Sequence, residues 1–135
     1  MQYKSEEEKQ QVVLHNLQRA DKTLKEAILL ADNQFWNGCA NRLYYAAYYS
    51  TTALLIKNNQ YSKTHAGTRN LFNQHFIKTS ILTSKESYLY AQLFDKRQDG
   101  DYATFVEYKK EDIFPMIEPT KEFIETSKNL INEKS

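Results

Sequence analysis

The chain has 135 residues, with 41% aliphatic, aromatic or Cys content. That is one domain's worth, 1–135, with enough apolar content to bury a core unaided. Its 18 Lys and Arg against 17 Asp and Glu give a net charge of +1, too little excess for strong non-specific duplex binding. The lone Cys39 excludes an internal disulfide framework and a multi-cysteine zinc site.

Helical periodicity runs through nearly the whole chain. Val13, Leu17, Ala20, Leu24, Ala27, Ile28 and Ala31 form one apolar stripe. They predict a first helix from about Glu6 to Gln34, with Glu6, Glu7 and Glu8 favourably placed at its positive end. Asn37-Gly38 reads as a break. A second helix is expected over Cys39–Lys57, with Ala40, Leu43, Tyr44, Ala47, Thr51, Leu54 and Leu55 on one face. Tyr45, Tyr48, Tyr49 and Thr52 make a second face, so this helix should be central.

Residues 58–62 form a polar loop before a short third helix near Gly67, carrying Leu71, Phe72, Phe76 and Ile77. Ser84 reads as the N-cap of a fourth helix. Tyr88, Leu89, Ala91, Leu93 and Phe94 supply its apolar positions, and Gly100 its stop. Residues 101–110 read as an irregular connector. A last helix starts near Glu111 or Asp112, is bent or delayed by Pro119, and carries Phe123, Ile124, Ser127, Leu130 and Ile131. The fold class is all-α, an up-and-down bundle of four to five helices. No apolar run nears the roughly 20 residues of a membrane span, and the N-terminus lacks a signal peptide's apolar region. The expectation is a cytoplasmic protein with no membrane association.

Charge is unevenly distributed. Residues 33–85 contain no acid and six bases, while residues 86–135 carry eleven acids and seven bases. The basic middle either pairs with the acidic ends or binds an anion. His15, His65 and His75 lack ligand partners at helical spacing, so no metal site is expected, and no cofactor is implied.

Three stretches concentrate chemistry. In the second helix, Arg42 sits among uncharged aromatic residues and needs an acid from elsewhere, with Asp101 as candidate, or a phosphate. In Tyr61–Arg69, the residues Lys63, His65 and Arg69 surround a helix start. This stretch is either an anion site or a capping loop built on Ser62 or Thr64. In Phe94–Tyr102, Arg97 precedes an acid–tyrosine pair, Asp101-Tyr102, at a helix end.

Together, Asn41-Arg42-Leu43-Tyr44-Tyr45-Ala46, Ser62-Lys63-Thr64-His65-Ala66-Gly67 and Arg97-Gln98-Asp99-Gly100-Asp101-Tyr102 resemble the short, standalone prokaryotic branch of the HEPN-domain family. The likeness covers about residues 15–130. It implies a four- to five-helix bundle, often a homodimer, and often paired with a minimal nucleotidyltransferase in a two-component, toxin–antitoxin-like system. Many members are metal-independent RNA endonucleases whose motif is an Arg followed, after four to six residues, by a His. Here four residues after Arg97 lead to Tyr102 instead, and no His follows His75. A tyrosine with an ordinary pKa near 10 is a poor base at neutral pH.

The leading expectation is a nucleotide- or RNA-binding helical module and nucleotidyltransferase partner. Arg42, Lys63, His65, Arg69, Arg97 and Asp101 would form its binding set. The alternatives are a metal-independent endoribonuclease using Arg97 and Tyr102, and a structural dimeric adaptor.

Overall fold

The structure is a computed structural model describing residues 5–102 and 106–133, with only the backbone course given for 98–102. Five helices have eight residues or more: α1 (Glu6–Asp32), α2 (Trp36–Lys57), α3 (His65–Phe72), α4 (Ser84–Tyr102) and α6 (Ile117–Asn132). A π turn over Asn73–Ile77 extends α3. The one-turn α5 (Lys110–Ile113) and a 3₁₀ turn at Phe114–Met116 lead into α6. No strand occurs among the described residues, so the chain is an all-α helical bundle. None of the described helices is long and apolar enough to cross a membrane.

Ser5 caps α1 by accepting from the Glu8 N–H at 3.0 Å, with three glutamates in the first turn. The helix ends two residues before the expected Gln34, because Gln34 takes the left-handed conformation at φ 62°. Its N–H returns to the Ala31 carbonyl and that of Phe35 to Leu30, satisfying two terminal carbonyls. The break therefore precedes Asn37-Gly38, and Gly38 lies inside α2. A Cβ there would stand 3.2 Å from Leu30 Cδ1, so the missing side chain lets α1 come close. The same closure recurs after α2, where Asn59 has φ 60° and Gln60 N–H reaches the Leu55 carbonyl.

The short turn at Asn33–Phe35 makes α1 and α2 antiparallel neighbours. α2 is the hub, packing against α1, α3, α4 and α6. Its Leu43, Tyr44, Ala46, Ala47, Ala53 and Leu54 are almost wholly buried. Facing them are Ala20, Leu24 and Ala27 of α1 and Phe123, Ile124 and Ile131 of α6. Ile28 of the expected α1 stripe lies at its rim, 37% exposed.

α4 departs from expectation in three ways. Thr83 rather than Ser84 occupies the cap position, where its N–H donates to Glu86 Oε1 at 2.9 Å. The helix runs through Gly100 to Tyr102. The buried tyrosine is Tyr90, whereas Tyr88 is 66% exposed. Tyr90, Leu93 and Arg97 share one face at three- and four-residue steps, which turns Tyr88 outward. Near the C-terminus, Pro115 sits in the 3₁₀ turn and Pro119 in the first turn of α6, where no intrahelical N–H is needed.

Urea unfolding checks this packing. Leu54→Ala should lower stability by about 3 kcal/mol, and Leu29→Ala, at the exposed end of α1, by less than about 0.5 kcal/mol. Equal losses would contradict a core organised by α2.

Candidate functional site

Tyr44 is fully buried in the middle of α2. The rings of Tyr45, Tyr48, His65, Tyr90 and Phe94 all pack within 5.2–6.0 Å of its centroid. Its hydroxyl shares a 2.7 Å hydrogen bond with His65 Nδ1. The His65 ring also lies 4.7 Å from Tyr48 and 5.6 Å from Tyr45. Arg97 enters from α4, only 7% exposed, with its guanidinium carbon 5.1 Å from the Tyr44 ring and 5.9 Å from Tyr45. Stacking on electron-rich faces suits a guanidinium removed from water.

The fold thus brings His65 and Arg97 onto the same two tyrosines, although they are 32 residues apart in sequence. The electrostatics register the proximity. Burial first, and then the Arg97 charge, hold the His65 pKa below its ordinary 6.5. Burial pushes Tyr44 and Tyr90 well above the ordinary tyrosine value, so both stay protonated at neutral pH. Cys39, fully buried beside this helix start, is raised by burial to about 11 and is not a reactive thiolate.

Arg42 reaches the cluster from the other side. Its guanidinium lies 5.2 Å from the Tyr45 ring, and Asn41 Oδ1 accepts from its Nε at 3.0 Å and its Nη2 at 2.7 Å. The carboxylate that pairs with it is Glu26 of α1, at 3.4 Å. The candidate Asp101 has its side chain outside the described residues. The Arg42 side chain is 33% exposed and that of Glu26 45%, so the pair contributes at most about 1 kcal/mol. The acid does come from another helix, as expected, but it is Glu26, and the pair leaves Arg42 within reach of solvent.

Arg42, Lys96 and Arg97 line one cleft of about 310 Å³, with Leu30, Asn37, Gly38 and Asn41 completing its wall. No carboxylate belongs to that lining among the described residues. Asn37 fixes one edge by donating to the Val106 carbonyl and accepting from the Tyr108 N–H. The Tyr108 hydroxyl donates to the Lys96 carbonyl, and its ring faces the Lys96 ammonium at 5.2 Å. Lys96 and Tyr44 are the members that sequence reasoning missed. Lys96 adjoins Arg97, but Tyr44 reads as ordinary core until its hydroxyl is seen to hold His65.

Other expected residues fall elsewhere. Arg69 of α3 lies 5.0 Å over the Phe94 ring and so adjoins the cluster without lining the cleft. Lys63 is exposed on a separate groove with Val12, Thr52 and Ile56, toward the C-terminal half of α2. The Lys63–Gly67 stretch is a capping loop: Thr64 Oγ1 accepts from the Gly67 N–H at 2.9 Å, and Ser62 bonds both the N–H and carbonyl of Thr64. The Tyr102 side chain lies outside the described residues. Among the described residues, the acid-free middle pairs through Arg42 to Glu26 and Lys85 to Glu122.

A helical bundle whose central helix presents a buried tyrosine to a histidine of α3 and an arginine of α4, beside a cationic cleft, is the class of protein seen here. A model of the HEPN domain matches residues 13–130, and the chain belongs to that family. It is 30% identical to a UPF0332 protein of Thermotoga maritima over 126 residues, covering 93% of this chain and 96% of that one. A Methanocaldococcus jannaschii protein named "Putative toxin MJ0142" is 27% identical over 119 residues, covering 88% and 81% of the two chains. Another from that organism, "Putative toxin MJ0605", is 28% identical over 85 residues, 63% of each.

The depressed His65 value sets a pH dependence. The unfolded state takes up the His65 proton near 6.5 and the folded state only at lower pH, so the unfolded state binds more protons between those values. The stabilising contribution is therefore complete above pH 6.5 and is lost as pH falls below it. Urea unfolding of the parent chain should lose stability from pH 7.5 to 5.5, and His65→Asn should lose less. Identical pH profiles would contradict the packing described for His65.

Proposed function

We propose that this chain is a toxin-like HEPN protein whose Arg42, Lys96 and Arg97 cleft binds the phosphate of RNA or a nucleotide. One observation carries the reading: three cations from two helices, with Arg42 within reach of solvent, line a single cleft. Arg supplies a planar fork matched to phosphate oxygens, and Lys a mobile point charge. The names of the two Methanocaldococcus relatives support the toxin-like part. Pairing with a minimal nucleotidyltransferase, assembly as a homodimer and cytoplasmic residence belong to the same proposal and rest on the family resemblance.

A second reading, metal-independent RNA cleavage, is favoured by the placement of His65 beside Arg97. The 2′-hydroxyl would attack the adjacent phosphorus, forming a cyclic phosphate and expelling the 5′-oxygen. With Nδ1–H donating to Tyr44, the His65 Nε2 keeps a lone pair to take the 2′-hydroxyl proton. Arg97 would stabilise the charge gathering on the phosphoryl oxygens. The leaving oxygen needs a proton donor, and Tyr102 is the candidate from the sequence.

Fluorescence anisotropy with a labelled single-stranded RNA in chelator tests the cleft. Arg42→Ala and Lys96→Ala should each weaken binding and lower the slope of log affinity against log salt by about 0.7 to 1. Unchanged slopes would overturn the phosphate assignment. On the same samples, cleavage lost in both Arg97→Ala and His65→Ala would promote the second reading.

A further inference from the structure

The corner between α1 and α2 carries a second recess, separate from the cationic cleft. It is a groove of about 350 Å³ lined by Ala31, Asp32, Gln34, Trp36, Lys110 and Phe114. The Trp36 and Phe114 rings meet nearly at right angles, 87° apart with centroids at 6.4 Å, so one forms a floor where the other forms a wall. Phe114 is 52% exposed, so part of its ring remains open to solvent beside Trp36. Lys110 lies 5.2 Å from the Phe114 ring.

The two recesses share a border. Leu30 and Asn37 line the cationic cleft, and their neighbours in sequence, Ala31 and Trp36, line the aromatic groove. Leu30–Ala31 and Trp36–Asn37 stand on either side of the Asn33–Phe35 turn, so the two recesses flank the same corner of the bundle. Their charges differ in a way that sorts a ligand. The cleft is lined by three cations, whereas the groove is lined by one, Lys110, and by Asp32. Asp32 repels a phosphate and offers an acceptor to a base amine.

We propose that the Trp36–Phe114 groove is a base-stacking subsite for single-stranded RNA whose neighbouring phosphate lies in the Arg42–Lys96–Arg97 cleft. An aromatic platform beside a cationic track is the arrangement that holds single strands, and a duplex, with its bases already stacked, gains nothing from it. This inference rests on the phosphate reading of the cleft and names the class of nucleic acid it takes.

Trp36 is the only tryptophan in the chain, so its fluorescence reports on the groove directly. The full chain is titrated in chelator with tetra-adenylate RNA and with an abasic oligomer of equal length, binding being read independently by anisotropy. Tetra-adenylate should quench Trp36 and bind about tenfold more tightly than the abasic oligomer. Phe114→Leu and Phe114→Ala should each remove most of that advantage while leaving abasic binding unchanged. Equal binding of the two oligomers without quenching overturns the stacking subsite and leaves the phosphate cleft standing. Binding of neither overturns both. A Trp36 signal that changes with protein concentration alone, with a doubled mass, assigns the groove to contact between two copies of the chain and also overturns the proposal.

Discussion

The Tyr44 side chain is the point on which the rest of the site depends. Its ring lies beneath the Arg97 guanidinium, and its hydroxyl holds His65. A guanidinium that leaves water needs compensation, and here the faces of Tyr44 and Tyr45 supply part of it. Three helices must keep register for this to persist: α2 provides the tyrosines, α3 the histidine and α4 the arginine. The N-terminal cap of α3, made by Thr64 and Ser62, places His65 in the first turn of that helix. The capping loop and the cluster are therefore linked, since the hydroxyl groups of Ser62 and Thr64 hold the helix start that carries His65.

The architecture was largely legible because helical periodicity reports burial. The α2 stripe read from Ala40 to Leu55 is the buried one, and both faces of that helix do find neighbours. Glycine as punctuation misplaces the helix ends. Gln34 and Asn59 provide the left-handed residues at the helix ends, while Gly38 and Gly100 lie inside helices. At Gly38 the selecting force is the approach of Leu30, a tertiary contact that no local pattern announces. Tyr88 misled for a related reason: the three- and four-residue steps Tyr90–Leu93–Arg97 set the buried face, and a charged residue at its end hides that face from a hydrophobicity scan.

The candidate site was legible in residue type but not in grouping. Arg42, His65 and Arg97 stand out as polar residues within aromatic sequence, yet their meeting depends on how α2, α3 and α4 cross. Glu26 as the Arg42 partner lies on a different helix, sixteen residues away, at a spacing that intrahelical rules do not reach. Adjacency in sequence groups Lys63 with His65, but the fold leaves Lys63 on another groove. The cationic cleft itself arises from the turn between α1 and α2, where Gly38 allows close packing and Asn37 ties residues 106 and 108 across the opening. The same turn presents Trp36 on its other side, so one local geometry shapes both recesses.

The most direct measurement is an NMR titration of the full chain with single-stranded RNA in chelator. It would follow the His65 imidazole and the Nε–H signals of Arg42 and Arg97. All three should shift together in one saturable step, and Tyr44→Phe, which keeps the ring but deletes the hydroxyl, should uncouple His65 from the two arginines. Saturable binding that moves other residues and leaves these three unshifted would contradict a ligand site organised around Tyr44.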